Sequence, residues 1–265
     1  MAFFDDFNTI FDQYDFRMQD ASGGAVNSGT GADFSEVTNG GGLTYSQTSP
    51  IAGDNAITFD GLAYLQNATQ LFQQTATVGT ICFVFKTSYS GGTQYFFTKN
   101  VPASSGRRFE FKISSTGFIQ FRGYNTSGGT NFYRTIETVG GWNDGEWHIV
   151  VVRQKADGTG LEWFLDSAVP IIGTETLSGT FDADSWSNDV FGATSYTGDR
   201  SYFGIDGHNI TSQFVGDIAA FGTTDVAESD ANIEALLESS GLASNNPFGN
   251  KTKRRRNRRM FTDQF

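Results

Sequence analysis

The chain has 265 residues, of which 18% are charged, with 32 Gly, 26 Phe and only 4 Pro. This Gly- and Phe-rich, charge-poor balance belongs to many short strands joined by tight turns and excludes a helix bundle, which draws on Ala, Glu, Lys and Leu. The net charge of −11 is uneven: residues 251–265 hold seven Lys/Arg and one Asp, so +6, leaving 11 basic and 28 acidic residues, so −17, on the remainder.

Residues 3–14 place Phe3, Phe4, Phe7, Ile10, Phe11 and Tyr14 at helical spacing, with Asp5, Asp6, Asn8 and Asp12 between them. The pattern predicts a short amphipathic helix. So short a helix does not persist alone in water, so its apolar face must pack on its own domain or on another subunit. From residue 15 the period becomes two. Strands are expected at 56–60, 64–66, 80–86 and 94–98, the third apolar on both faces and therefore central. Phe109, Phe111 and Ile113 alternate with Arg108, Glu110 and Lys112, a strand wet on one side. Further strands are expected at 118–122, 131–136, 147–153 and 161–166, the last two joined by the hairpin signal at 156–160. Residues 178–213 read as loops around strands near 190–193 and 202–205. A last strand is expected at 214–221 and a helix at 226–239, capped by Ser229 and stopped by Gly241. About a dozen strands point to an all-β fold of two stacked antiparallel sheets, a jelly-roll sandwich, with one short C-terminal helix and two terminal arms. The expected divisions are 1–14, an amphipathic arm; 15–241, the sandwich; and 242–265, a basic tail.

Cys82, the single cysteine, excludes an internal disulfide framework and lies in an apolar run as a small core side chain. With two histidines, His148 and His208, a structural zinc cluster is excluded as well. No apolar run approaches the ~20 residues that span a bilayer. The acidic N-terminal stretch lacks the positive charge of a signal peptide. Intracellular assembly, most simply into a virion, is the expectation that follows.

Two stretches carry a resemblance. Asp144-Gly145-Glu146-Trp147-His148-Ile149-Val150-Val151-Val152, followed by a Gly-containing hairpin and Leu161-Glu162-Trp163-Phe164-Leu165-Asp166, resembles the laminin-G-type signature. Ser167 stands where that pattern usually has Gly. Phe214-Val215-Gly216-Asp217-Ile218 with the helix after it, Ala56-Ile57-Thr58-Phe59-Asp60-Gly61, and residues 17–31 resemble further strands of the same modules. The likeness covers roughly residues 15–240 and is to the concanavalin A-like lectin/glucanase superfamily. It implies a β-sandwich that binds carbohydrate or protein, often with a calcium ion at its rim.

Trp147 is in phase with Ile149 and Val151 and is expected to plug the core. His148 has no nucleophile motif beside it and reads as a structural histidine. The Glu-x-Asp-x-x-Glu strand of the superfamily's hydrolases is missing: Glu162 and Asp166 are separated by Phe164, and the strand at 108–113 offers only Glu110. The chain is therefore expected not to be an enzyme, a glycoside-active enzyme being the least favoured alternative. Sugar recognition needs aromatic faces edged by polar groups. The longest irregular stretch supplies Trp186, Tyr196 and Tyr202 among Asp199, Asp206 and His208 and is the first choice of ligand site. Tyr124 with Asn125, and Trp142 with Asn143, are secondary choices. Calcium ligands would come from Asp182, Asp184, Asn188 and Asp189, or from Asp199, Asp206 and Asn209. Neither set has EF-hand spacing, and solvated turn carboxylates are the simpler reading.

The tail, with Lys251, Lys253, Arg254, Arg255, Arg256, Arg258 and Arg259, is rich in Arg, which favours bidentate contacts to carboxylate or phosphate. Phe261 and Phe265 give it apolar anchors. A −17 body repels phosphates, so the expected partner is the acidic surface of another protein subunit, with nucleic acid the runner-up. The functional expectation is a recognition and assembly protein with a lectin-like sandwich, a virion surface, decoration or attachment component; the alternative is an intracellular carbohydrate-binding module.

Overall fold

The computed structural model describes residues 3–12, 14–16, 18, 22, 24–26, 33–38, 40–51, 54–67, 78–100, 107–125, 132–137, 140–154, 161–170, 174–178, 200–205 and 213–242. In chain order these form α1 (Phe3–Ile10), β1 (Tyr14–Phe16), β2 (Gly24–Ala25), β3 (Phe34–Thr38), β4 (Thr44–Thr48), β5 (Asn55–Asp60) and β6 (Ala63–Asn67). There follow β7 (Gly79–Lys86), β8 (Gln94–Asn100), β9 (Arg107–Ile113), β10 (Ile119–Asn125), β11 (Phe132–Glu137) and β12 (Trp147–Gln154). The chain ends in β13 (Leu161–Leu165), β14 (Thr174–Ser178), β15 (Arg200–Phe203), β16 (Val215–Thr224) and α2 (Asp230–Ser240).

The fold is an all-β sandwich of two antiparallel sheets. One runs β13-β12-β7-β16-β5-β4, with β1 pairing the far half of β16, for seven strands; the other runs β14-β11-β10-β9-β8-β15-β6-β3-β2, for nine. Alternation drives Ile81, Phe83 and Phe85 of β7 and Trp163 and Leu165 of β13 inward. There they meet Phe96, Phe97, Phe111 and Phe121 of the nine-stranded sheet. The indole of Trp163 stacks on Phe111 at 5.7 Å between centroids and meets Phe121 edge-on.

The seven-stranded sheet is buried on its outer side too. Cys82, Val84, Ile149, Val151, Phe164 and Ala220 form a second core with Phe3, Phe7 and Phe11 of the N-terminal segment and Ile233, Leu236 and Leu237 of α2. Gly222 makes room for this layer: a Cβ there would lie 2.5 Å from the Phe11 ring and 2.6 Å from that of Phe7. Ser229 caps α2 by accepting the Asn232 N–H at 3.1 Å, and Gly241, at φ 72°, ends it. The apolar face of the N-terminal helix is therefore buried on the chain's own sheet. That is the first of the two alternatives, packing on its own domain, and it corrects the second, a contact with another subunit through this arm.

A second correction concerns Trp147. It keeps phase with Ile149 and Val151, but that phase points to the helix-covered side, where Trp147 is only half-buried; Trp163 is the indole of the inter-sheet core. Strands β3, β4 and β14 escape the sequence pattern. β4 (Thr-Tyr-Ser-Gln-Thr) and β14 (Thr-Glu-Thr-Leu-Ser) are sheet edges, where polar residues blunt further pairing and erase the alternation. The strand expected near 190–193 lies outside the described residues.

Candidate functional site

The outer faces of the two sheets differ. Helices cover one. The other is built from the outward positions of the nine-stranded sheet and carries almost no aliphatic residue. In β6 these are Tyr64 and Gln66, in β8 Tyr95 and Thr98, in β9 Glu110 and Lys112, and in β10 Gln120. An irregularity between Tyr95 and Phe97 lets both Phe96 and Phe97 enter the core while Tyr95 and Thr98 stay on the outer face.

Register carries the pattern across strands. Tyr202 lies opposite Gln66 on one side and Thr98 on the other. Thr98 faces Glu110, Glu110 faces Arg122, and Arg122 faces Thr135. One row over, Arg108, Tyr124 and Tyr133 are aligned. By register, five of the nine tyrosine positions, 64, 95, 124, 133 and 202, thus fall on one face, while Phe96, Phe97, Phe111 and Phe121 of the same sheet fill the core.

At the centre, Lys112 Nζ pairs with Glu110 Oε2 at 3.1 Å, both groups out of water, and lies 5.4 Å from the centroid of the Tyr95 ring. Removing an ammonium and a carboxylate from water is costly, and apolar residues at those positions would hold the sheet as well or better. Thr98 Oγ1 donates to the Ile205 carbonyl at 3.0 Å, and Tyr64 packs with Ile205 and Val37, closing one end of the face.

The stretch from Asp144 to Asp166 builds a different cluster, at the end of the seven-stranded sheet. His148, fully buried, has Nδ1 2.7 Å from Asp166 Oδ2 and Nε2 3.0 Å from Asp144 Oδ1. Asp166 Oδ1 also accepts the Ile149 N–H at 2.7 Å, and Asp144 Oδ1 the Glu146 N–H at 2.8 Å. Asp166 itself takes a left-handed conformation, φ 47°, which Asp tolerates better than most residues. The rings of Phe85 and Trp142 close over the imidazole. Burial alone would lower the His148 pKa, but the hydrogen bonds and charges of Asp166 and Asp144 outweigh it and hold it raised. Burial pushes the Asp166 carboxyl up against the opposing pull of His148 and the Ile149 N–H. Burial likewise pushes the Cys82 thiol up, leaving it unreactive. The cluster fastens the loop that carries Asp144 to the strand that carries His148.

Of the ligand residues expected from sequence, Tyr202 falls in β15, near the strand expected at 202–205, and by register on the tyrosine face. Trp186, Tyr196, Asp199, Asp206 and His208 lie outside the described residues, as do Asp182, Asp184, Asn188, Asp189, Asn209 and residues 243–265 of the tail. Trp142 is buried under His148 and offers no platform, a correction; its neighbour Asn143 bridges loops by donating to the carbonyls of Tyr89 and Ser115. Glu162 is engaged by the Arg153 guanidinium. Among the described residues no group of three or more His, Cys, Asp or Glu is placed to hold a metal ion. No described helix is long and apolar enough to cross a membrane. Sequence reasoning missed Tyr64, Tyr95, Tyr133 and the Glu110–Lys112 pair as a set. The signal was in the phase of the aromatics along β8 and β10, where Phe96, Phe97 and Phe121 enter the core and Tyr95 and Tyr124 take positions of the other face by register.

No family model matches the sequence, and no curated protein matches it. Solved structures do. Domain 4 of AbnA, a GH43 extracellular arabinanase from Geobacillus stearothermophilus, seen in complex with arabinotriose, is similar at 11% identity and a TM-score of 0.58, over 85% of this chain and 97% of that one. The CBM40 of the Ruminococcus gnavus IT-sialidase, bound to alpha2,3 sialyllactose, is similar over 63% of this chain and 85% of that one, at 16% identity and a TM-score of 0.47. A leech intramolecular trans-sialidase is similar over 63% of this chain and only 24% of its own, at 20% identity and a TM-score of 0.47. The near full-length likeness to the arabinanase domain is one of fold, and the fold it shares with this chain is the all-β sandwich.

Proposed function

We propose that this chain is a non-catalytic glycan-binding module whose ligand lies on the outer face of the nine-stranded sheet. The observation that carries the reading is the register that sets tyrosine positions 64, 95, 124, 133 and 202 on one face, interleaved with positions of Gln, Thr, Arg, Glu and Lys. Sugars are held by aromatic faces with hydrogen-bonding groups at their edges. Domain 4 of AbnA, which shares the fold, was solved with arabinotriose, a fact about that protein that makes a saccharide the natural first ligand to test here. Tyr202 belongs to this face by register, so the proposal joins to it the residues near it in sequence, Asp199, Asp206 and His208, with Trp186 and Tyr196. Kinship with laminin-G-type, concanavalin A-like domains is part of the same reading. It is supported by the convergence of Asp144, His148 and Asp166 of the signature in one cluster.

The assembly role is the second part of the proposal. Its support is the charge of residues 251–265, +6 against a −17 remainder, which suits an acidic surface on a neighbouring subunit of a particle such as a virion. Full-length protein is applied to a glycan array with calcium and with chelator. Binding that falls by at least about tenfold in the Tyr95→Ala, Tyr124→Ala, Tyr202→Ala triple variant, with an unchanged melt, supports the reading; each lost stacking contact need contribute only ~0.5–1.5 kcal/mol. A wild-type protein that binds no glycan under either condition overturns it.

A further inference from the structure

We propose that His148 is a proton-dependent clasp that fixes the loop at residues 140–146 to the end of the sandwich and releases it on deprotonation. The geometry rests on hydrogen-bond inventory. Both ring nitrogens face carboxylate oxygens, Nδ1 to Asp166 at 2.7 Å and Nε2 to Asp144 at 3.0 Å. A carboxylate only accepts, so both contacts are hydrogen bonds only when the imidazole carries two N–H groups, as the cation. The neutral ring has one N–H, and the other nitrogen then points a lone pair at an anionic oxygen.

The two carboxylates are not equivalent, which decides which contact fails. Asp166 is fully buried and is also held by the Ile149 N–H at 2.7 Å, at a position whose own N–H donates to the Ile149 carbonyl at 3.0 Å. The Asp144 side chain is 36% exposed and can turn into water. On losing a proton, His148 therefore keeps Nδ1–H for Asp166 and lets Asp144 go. Among the described residues, the other surfaces around the ring, Phe85 of β7 and Trp142 of the loop, are uncharged, and the charges that face it are these two aspartates.

Asp144 is the pivot of the loop. Its Oδ1 holds the Glu146 N–H, the next residue Gly145 donates to the Thr87 carbonyl at 3.0 Å, and the preceding Asn143 ties the carbonyls of Tyr89 and Ser115. Thr87, Tyr89 and Ser115 belong to the two neighbouring connections, so releasing Asp144 loosens the point where three connections meet. Tyr89 is exposed, and its backbone is positioned by this junction.

The test follows full-length protein by nitrogen NMR of the imidazole and by amide hydrogen exchange between about pH 6 and about pH 9, the range around the ordinary histidine value. His148 is expected to be doubly protonated at the acid end. As it loses its Nε2 proton, the Gly145 and Glu146 amides should exchange at least about tenfold faster after correction for intrinsic rate, while the Val84 amide of β7 stays protected. Asp144→Asn, at a partly exposed position that leaves Asp166 in place, should move the His148 midpoint down and carry the loop's opening with it. A ring doubly protonated across the range, or a loop whose protection ignores His148 titration, overturns the proposal. So does an Asp144→Asn protein whose midpoint and loop behave as in the wild type.

Discussion

Arg153 of β12 and Asp230 of α2 are 77 residues apart in sequence, and their side chains meet at 2.7 Å. The same guanidinium engages Glu162 on the neighbouring strand and the Glu228 carbonyl just ahead of the helix, and it lies 5.2 Å from the centroid of the Phe164 ring. Arg153 is thus the fastening between the helical layer and the edge of the seven-stranded sheet. Its partners are unequal, for the Asp230 side chain is 88% exposed and that of Glu162 22%.

That inequality gives a graded expectation. Arg153→Ala strands the Glu162 carboxylate and the Glu228 carbonyl and should cost about 2–4 kcal/mol. Asp230→Ala removes only a solvated partner and should cost less than about 1 kcal/mol. Urea unfolding of both variants checks this; equal losses would mean that the contact with Asp230 is the dominant one.

The N-terminal helix gives the next expectation. Phe7 is fully buried, 4.6 Å from Phe11 and pressed against Gly222. Phe7→Ala should lower stability by about 3–5 kcal/mol, the cost of an emptied core site. Gly222→Val should act in the same direction, because its side chain needs the space the two rings occupy. A Phe7→Ala protein as stable as wild type would show that α1 is dispensable to the domain.

The two tryptophans separate what the sequence discloses from what it withholds. Trp163→Ala opens the inter-sheet core and should cost about 3–5 kcal/mol, whereas Trp147→Ala, at a half-buried site, should cost about half as much. Thermal melts read the difference. The alternation of Trp147, Ile149 and Val151 was plain in the sequence, as were the central strand β7, the helix α2 with its Ser229 and Gly241 caps, and the hairpin partners β12 and β13. Period two assigns residues to one of two faces but does not say which face looks inward, and on a sheet buried on both sides each face is apolar. The answer lies in Phe3, Phe7 and Phe11, more than 130 residues upstream, and only tertiary packing connects them to Trp147. The tyrosine face was hidden for a related reason. Each strand shows only two or three outward residues, and they become a site only when register aligns Tyr202, Thr98, Glu110 and Arg122.

The His148 cluster also sets how stability responds to pH. His148 has a folded pKa raised above the ordinary 6.5, because Asp166 and Asp144 favour its cation by more than burial opposes it. A group that binds its proton more tightly when folded stabilises the fold fully below its unfolded pKa, and that contribution is lost as pH rises through its folded value. The Asp166 pKa is raised too, by burial, so its share has the same sign and is lost as pH rises from its ordinary 3.8 through its folded value. Stability from this cluster should therefore decline as pH rises above about 6.5, the reverse of what a buried neutral histidine would give. Urea midpoints taken from about pH 6 to about pH 9 should fall in the wild type, and the fall should shrink in His148→Gln, whose amide does not titrate. If the wild-type midpoint rises across that interval while the His148→Gln midpoint stays level, His148 is neutral in the fold and its two carboxylate contacts do not hold a cation.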